Sequence, residues 1–224
     1  MAAMPDLVTR LIAIRHGETA WNRASRIQGH IDIPLNDAGR WQAERAGQAV
    51  AGEDVHAIYS SDLQRAHDTA RAIARASGLS VSLDQGLRER HFGELEGLTQ
   101  AEIAARWPDQ AVRWRERDPS YGPVGGETLQ AFYDRCTQAL ARLAHRHLGQ
   151  TVVVVAHGGV LDCFYRAANG VELSAPRSWT IGNATLNRLL YTPDGLTLLG
   201  WADDRHLDNE GGLDESTDGV VSPA

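Results

Sequence analysis

Leu11-Ile12-Ala13-Ile14-Arg15-His16-Gly17-Glu18-Thr19 and Val152-Val153-Val154-Val155-Ala156-His157-Gly158-Gly159 have the same form: an apolar run of strand length that ends on a histidine and a glycine. Ligands of an open parallel sheet bind in the crevice beyond the carboxyl ends of its strands, so two histidines at two strand ends can meet across one pocket. Gly17, Gly158 and Gly159 supply sharp turns and bare backbone N–H groups that let an anion approach, and Arg15 adds a forked donor shaped for phosphate or carboxylate. The competing reading of either histidine alone is a strand terminator with a local hydrogen bond. Two in matched settings favour the pocket.

Working outward, apolar strand-like runs at 7–14, 55–59, 152–156, 186–191 and 196–201 alternate with helical stretches. This alternation predicts an α/β fold, a three-layer α/β/α sandwich on a mostly parallel central sheet. Asn36-Asp37 opens a helix running to Val50, and Ser61-Asp62 opens one that stops before Gly78. Thr99-Gln100-Ala101-Glu102 has the form of a capping box, and Leu129, Phe132, Tyr133, Cys136, Leu140 and Leu143 repeat at helical spacing. Residues 99–126 are broken, aromatic and arginine-rich, with Trp107, Trp114, Arg113, Arg115 and Arg117, and read as a lid insertion over a single domain spanning 1–202. The tryptophans are expected to form local core under that lid. The three arginines either reach a second anionic group of a substrate or form a solvated surface.

At 224 residues the chain can bury roughly 70 to 75% of its unfolded surface. Its 42% apolar and 23% charged content is that of a globular protein, and no apolar run approaches a membrane span. The start has no basic region followed by an apolar one, so the expected location is cytoplasmic. Cys136 and Cys163 fit buried thiols better than a disulfide. The net charge of -7 is concentrated in 203–224, read as an acidic, flexible tail, which leaves the body near neutral. All 22 basic residues are arginines, which removes lysine Schiff bases and phosphate-loop lysines from consideration. Without a basic stripe, nucleic acid is not an expected partner. His145 and His147 do not share a helix face, so no metal site is read there.

Phosphoryl transfer needs fixed positive donors around a group whose charge lies on its equatorial oxygens. Arg15, His16, Asn22, Arg65 in the first turn of a helix, and His157 supply candidates. A neutral imidazole can attack phosphorus and leave a phosphohistidine that water cleaves, while a carboxylic acid protonates the leaving oxygen. Glu89 is a candidate for that acid, but Glu94 and Glu96 share its segment, and pairing with Arg88 or Arg90 is the competing fate.

Taken in order, Arg15-His16-Gly17-Glu18-Thr19, Trp21-Asn22, Gln28-Gly29, Pro34-Leu35, Ser60-Ser61-Asp62-Leu63-Gln64-Arg65-Ala66, Leu87-Arg88-Glu89, Phe92-Gly93-Glu94-Leu95-Glu96-Gly97, Gly125-Gly126-Glu127 and Ala156-His157-Gly158-Gly159 resemble the histidine phosphatase superfamily, the group containing cofactor-dependent phosphoglycerate mutases. The resemblance implies His16 as the phosphorylated nucleophile, with Arg15, Arg65 and His157 as phosphate clamp and Glu89 as proton donor and later base. It also implies Asn22 as a phosphate contact and Gln28 and Gly29 as pocket lining; Gly158 and Arg90 join the expected substrate-binding set. Phe92 and Gln100 stand where mutases typically have tyrosine and lysine, and the longer insertion that mutases carry before Gly125 is missing. Hydrolysis of small phosphorylated metabolites is therefore expected, without metal or cofactor. The alternatives are a phosphoglycerate mutase and a non-catalytic binder of phosphorylated ligands. Oligomeric state stays open, a homodimer included.

Overall fold

The computed structural model describes residues 8–208. Its sheet has six strands, β1 (Thr9–Arg15), β2 (Val55–Ser60), β3 (Val81–Leu83), β4 (Thr151–Ala156), β5 (Leu186–Thr192) and β6 (Gly195–Asp203), in the order β3-β2-β4-β1-β5-β6. The first four are mutually parallel and the last two run antiparallel to their neighbours. The alternate side chains of the apolar runs explain the layers. Leu11 and Ala13 of β1, with Val152, Val154 and Ala156 of β4, pack against helices α6 (Leu129–His145) and α7 (Gly158–Asn169). Ile12, Ile14, Val153 and Val155 pack on the opposite face against α2 (Asp37–Val50) and α3 (Gln64–Ser77). A strand buried on both faces has no polar face to show, hence the unbroken Val152-Val153-Val154-Val155 run.

This sandwich has its topological switch between β1 and β4. The chain leaving β1 crosses by way of the single-turn helix α1 (Ala20–Arg23) and α2 towards β2, while the chain leaving β4 enters α7 and returns as β5 on the other side. Arg15 is opposite Ala156, and the His16 amide donates to the Ala156 carbonyl at 3.0 Å, so the two histidines emerge side by side.

Several expectations are met and others corrected. Asn36 caps α2 by accepting from the Gly39 amide at 2.8 Å, and Thr99 and Glu102 form the capping box of α4 (Gln100–Arg106). The helix α3 begins at Gln64 with Leu63 as its uncapped start rather than at Ser61-Asp62, because Asp62 is committed to Arg88 at 2.6 and 2.7 Å. The strand β3 was not expected: three residues, two of them exposed, carry no period to read. His147 lies beyond the end of α6 and contacts the Tyr59 hydroxyl at 2.9 Å. Residues 203–208 are not part of a flexible tail: Asp203 completes β6, a short turn follows at Arg205–Leu207, and Leu207 is buried beside α2. The remainder of the expected tail, 209–224, is outside the described residues.

Within the expected lid, α4 and α5 (Pro108–Arg115) seat Ile103, Trp107 and Trp114 on Ile27, Phe92 and Leu95, as a small separate core. Cys136 and Cys163 are buried free thiols. No helix among the described residues is long and apolar enough to cross a membrane.

Candidate active site

The loop leaving β1 is pinned by both flanking helices and by the loop before β5. The Gly17 amide donates to Thr69 of α3 at 3.0 Å, and the Glu18 amide donates to Gln42 of α2 at 2.8 Å. On the other side, the Asn183 amide group donates to the His16 carbonyl at 2.9 Å, and the Ala184 amide donates to the Arg15 carbonyl at 3.0 Å. His16 itself is 3% exposed. Its Nδ1 lies 2.7 Å from the Gly17 carbonyl. A carbonyl only accepts, so Nδ1 carries the ring hydrogen and Nε2 keeps its lone pair.

His157, fully buried, has its ring centroid 5.2 Å from that of His16. Its Nε2 is hydrogen-bonded to the Ser61 hydroxyl at 2.8 Å, and its Nδ1 has no hydrogen-bond partner among the described residues. Burial, reinforced by the positive charges of Arg65 and Arg15, pushes both imidazoles well below the ordinary histidine range. Both are therefore neutral at pH 7.

A cavity of about 430 Å³ opens beside His16, lined by Arg15, Asn22, Gln28, Gly29, Arg65, Glu89 and Gly158. Arg65 is completely buried, with its pKa lowered by burial to about 10, so it remains a cation at pH 7. Two of its nitrogens donate to the Gly29 and Ile31 carbonyls, and its Nε has no hydrogen-bond partner among the described residues. Arg15 donates to the Ile181 carbonyl at 2.6 Å. The amide oxygens of Asn22 and Gln28 are both held by Thr19, which leaves their NH₂ groups as the donors of those two cavity-lining side chains.

Glu89 receives the Gly159 amide on one oxygen at 3.0 Å and the Arg90 amide on the other at 2.8 Å. A Cβ on Gly159 would lie 2.4 Å from that carboxylate, so only glycine allows Glu89 to dock at the start of α7. Its backbone carbonyl is fixed by His30 and Arg135. The structure thus brings His16, His157, Arg15, Arg65, Asn22, Gln28, Gly29, Gly158 and Glu89 to one place. Glu94 and Glu96 are elsewhere: neither lines this cavity, and Glu96 accepts from the His30 and Phe92 amides.

Arg90 lies next to the His16 cavity rather than in its lining. It lines an adjoining cavity of about 440 Å³ with Arg113, Trp114, Arg117 and Tyr121, and its guanidinium donates to the Tyr121 and Glu127 carbonyls. Arg117 in that cavity is buried and paired with Asp162 at 2.7 Å, so it is neither a solvated surface residue nor an open anion contact. Sequence reading missed Ser61 as the partner of His157, Asn183 as a strut under His16, and Arg177, which lines the His16 cavity. Ser60-Ser61 belongs to a motif at a strand end, but nothing local marks Asn183 or Arg177.

The model of the histidine phosphatase superfamily (branch 1) matches residues 11–204. The chain belongs to the histidine phosphatase superfamily. Among the curated relatives of this family member, phosphoglycerate mutase-like protein 4 of Arabidopsis thaliana is 42% identical over 91% of this chain and 89% of its own length. A metal-independent phosphoserine phosphatase of the same plant is 36% identical over 96% of this chain and 90% of its own length. Among solved structures, a mycobacterial glucosyl-3-phosphoglycerate phosphatase complexed with VO3 superposes with a TM-score of 0.77 at 34% identity, covering 87% of this chain and 99% of that one.

The buried neutral histidines make stability depend on pH with a definite sign. Unfolding returns each ring to a pKa near 6.5, so below that pH the unfolded chain binds protons that the fold does not, and stability falls as pH falls. Each histidine is expected to remove up to about 1.4 kcal/mol per pH unit below 6.5. Urea unfolding between pH 7.5 and 5.5 should give a shallower decline for His157→Gln than for the wild type; equal slopes would show that His157 titrates normally in the fold.

Proposed function

We propose that the protein hydrolyses phosphomonoesters of small metabolites through a phosphohistidine on His16. The observation that carries this reading is the hydrogen bond from His16 Nδ1 to the Gly17 carbonyl, which presents a bare Nε2 in the same cavity as two buried guanidinium groups and a docked carboxyl. The Nε2 lone pair forms the bond to phosphorus as the ester P–O bond breaks, and Glu89 as carboxylic acid gives its proton to the departing alkoxide. In the second half, Glu89 as carboxylate takes a proton from water, the hydroxide oxygen bonds to phosphorus, and the P–N bond returns its electrons to His16. Inorganic phosphate and neutral imidazole result.

Arg15, Arg65, the amide groups of Asn22 and Gln28, and Nδ1 of His157 form the clamp on the phosphoryl oxygens, assisted by the N-terminus of α7 at Gly158. Fixed cations supply the charge stabilisation, so the enzyme works without metal. The segment 99–126 serves as lid, with Trp114 stacked on Phe92 at 5.3 Å so that it borders both cavities through that ring. Phe92 gives the His16 cavity an apolar wall without the hydroxyl of a mutase tyrosine, which favours water over a second phosphoglycerate as acceptor. Two buried thiols without a disulfide suit a cytoplasmic residence.

Incubation with p-nitrophenyl phosphate, and separately with 3-phosphoglycerate plus 2,3-bisphosphoglycerate, should release inorganic phosphate; 2-phosphoglycerate formed without phosphate release would mean a mutase, and no turnover at all a binding protein. Glu89→Gln should lose about 10²- to 10⁴-fold on esters of poor leaving groups and much less on p-nitrophenyl phosphate, whose leaving group needs little protonation. Equal losses on both would remove Glu89 from the proton-donor role.

A further inference from the structure

Arg177 is 5% exposed, and none of its three guanidinium nitrogens has a hydrogen-bond partner among the described residues. A guanidinium stays charged at any ordinary pH, and burying an unpaired charge is among the costliest arrangements a fold can hold. Such a group persists where the surrounding structure fixes it for a ligand. Its position names that ligand's location: Arg177 lines the His16 cavity together with Arg15, Arg26, Arg65 and Glu89. It sits in the loop between α7 and β5, the same loop that donates Asn183 to the His16 carbonyl and accepts Arg15 on Ile181.

The charges around the cavity are unequal. Arg26 has a counter-ion in Glu102 at 3.0 Å. Arg15 and Arg65 belong to the proposed phosphate clamp in the same cavity. Arg177 is a forked cation with no acidic partner among the described residues, in the cavity that the phosphoryl group would enter.

We infer that Arg177 is a specificity-determining residue that binds a second anionic group, a carboxylate, on the substrate, so that the preferred phosphomonoesters are phosphorylated hydroxy or amino acids. This rests on the phosphatase reading and narrows it to a substrate class. The planar fork of guanidinium matches carboxylate with two parallel hydrogen bonds, and a contact made by a buried guanidinium is worth more than one at the surface. In the ligand-free protein the same unpaired charge costs stability, which distinguishes it from a structural arginine.

Two matched substrate pairs test this: phosphoserine against phosphoethanolamine, and 3-phosphoglycerate against glycerol 3-phosphate, each pair differing at the carboxylate. Wild-type enzyme should show the higher kcat/KM on the carboxylated member of each pair. Arg177→Met should lower that preference by about 10- to 100-fold, mainly through KM, while its ligand-free melting temperature stays at or above that of the wild type. Arg177→Lys, which keeps the charge and loses the fork, should lower it less. An unchanged preference in Arg177→Met, or equal losses on both members, would overturn the inference. If Arg177→Met melts well below the wild type, the preference of Arg177→Lys decides: a drop supports the inference and no change overturns it. If wild type releases phosphate from p-nitrophenyl phosphate but from none of the four compounds, the inference fails and the phosphatase reading stands; if it releases none from p-nitrophenyl phosphate either, the phosphatase reading fails on its own. The calorimetric Kd ratio within each pair, wild type against Arg177→Met, then still decides the role of Arg177.

Discussion

The His16 amide reaches the Ala156 carbonyl at 3.0 Å because β1 and β4 are adjacent parallel strands in register at their carboxyl ends, and the site depends on that pairing. It sets two histidine rings 5.2 Å apart at the place where the chain leaves the sheet in opposite directions. It also leaves both strand ends buried, which strips the rings of water and keeps them neutral among arginines. An imidazole with water access would be protonated in part of its population below pH 7; burial favours the neutral form that the proposed mechanism needs.

The supports around this pair divide into separate tasks. Thr69, Gln42 and Asn183 fix the backbone of the first strand end, so the side chain of His16 has one place to go. Gly159 lets Glu89 close onto the start of α7, and Asp62, Arg88, His30 and Arg135 hold the loop that carries it. Those contacts tie the segment after β2, the loop carrying His30, and α6 to the loop that holds this carboxyl group. Burying cations costs stability, most where, as at Arg177, no guanidinium nitrogen has a hydrogen-bond partner among the described residues.

Much of this was legible in the residues. Continuous apolar runs at 11–14 and 152–155 read as strands because both faces are covered, and α2 and α6 announced themselves by the Asn36 cap and by apolar spacing from Leu129. His16, His157, Arg15 and Arg65 stand beside strand ends or in a first helical turn, where position alone suggests anion binding. Glu89 needed the family resemblance, since Glu94 and Glu96 have equal local claims and only the docking on Gly159 separates them. Three kinds of information were out of reach. The strand β3 is too short to show a period, the pairing of Arg117 with Asp162 joins residues far apart in the chain, and Arg177 lies in an irregular loop with no motif. Each is set by tertiary contact rather than by a local pattern.

The central claim is that a neutral, buried His16 takes the phosphoryl group on Nε2. Its most direct test is rapid mixing with a ³²P-labelled phosphomonoester, quenching in alkali, and mapping of the label by peptide mass spectrometry. The account predicts an acid-labile, alkali-stable label on the peptide containing His16, appearing before free phosphate. Label on another residue, or phosphate released with no labelled intermediate at any time point, would contradict it.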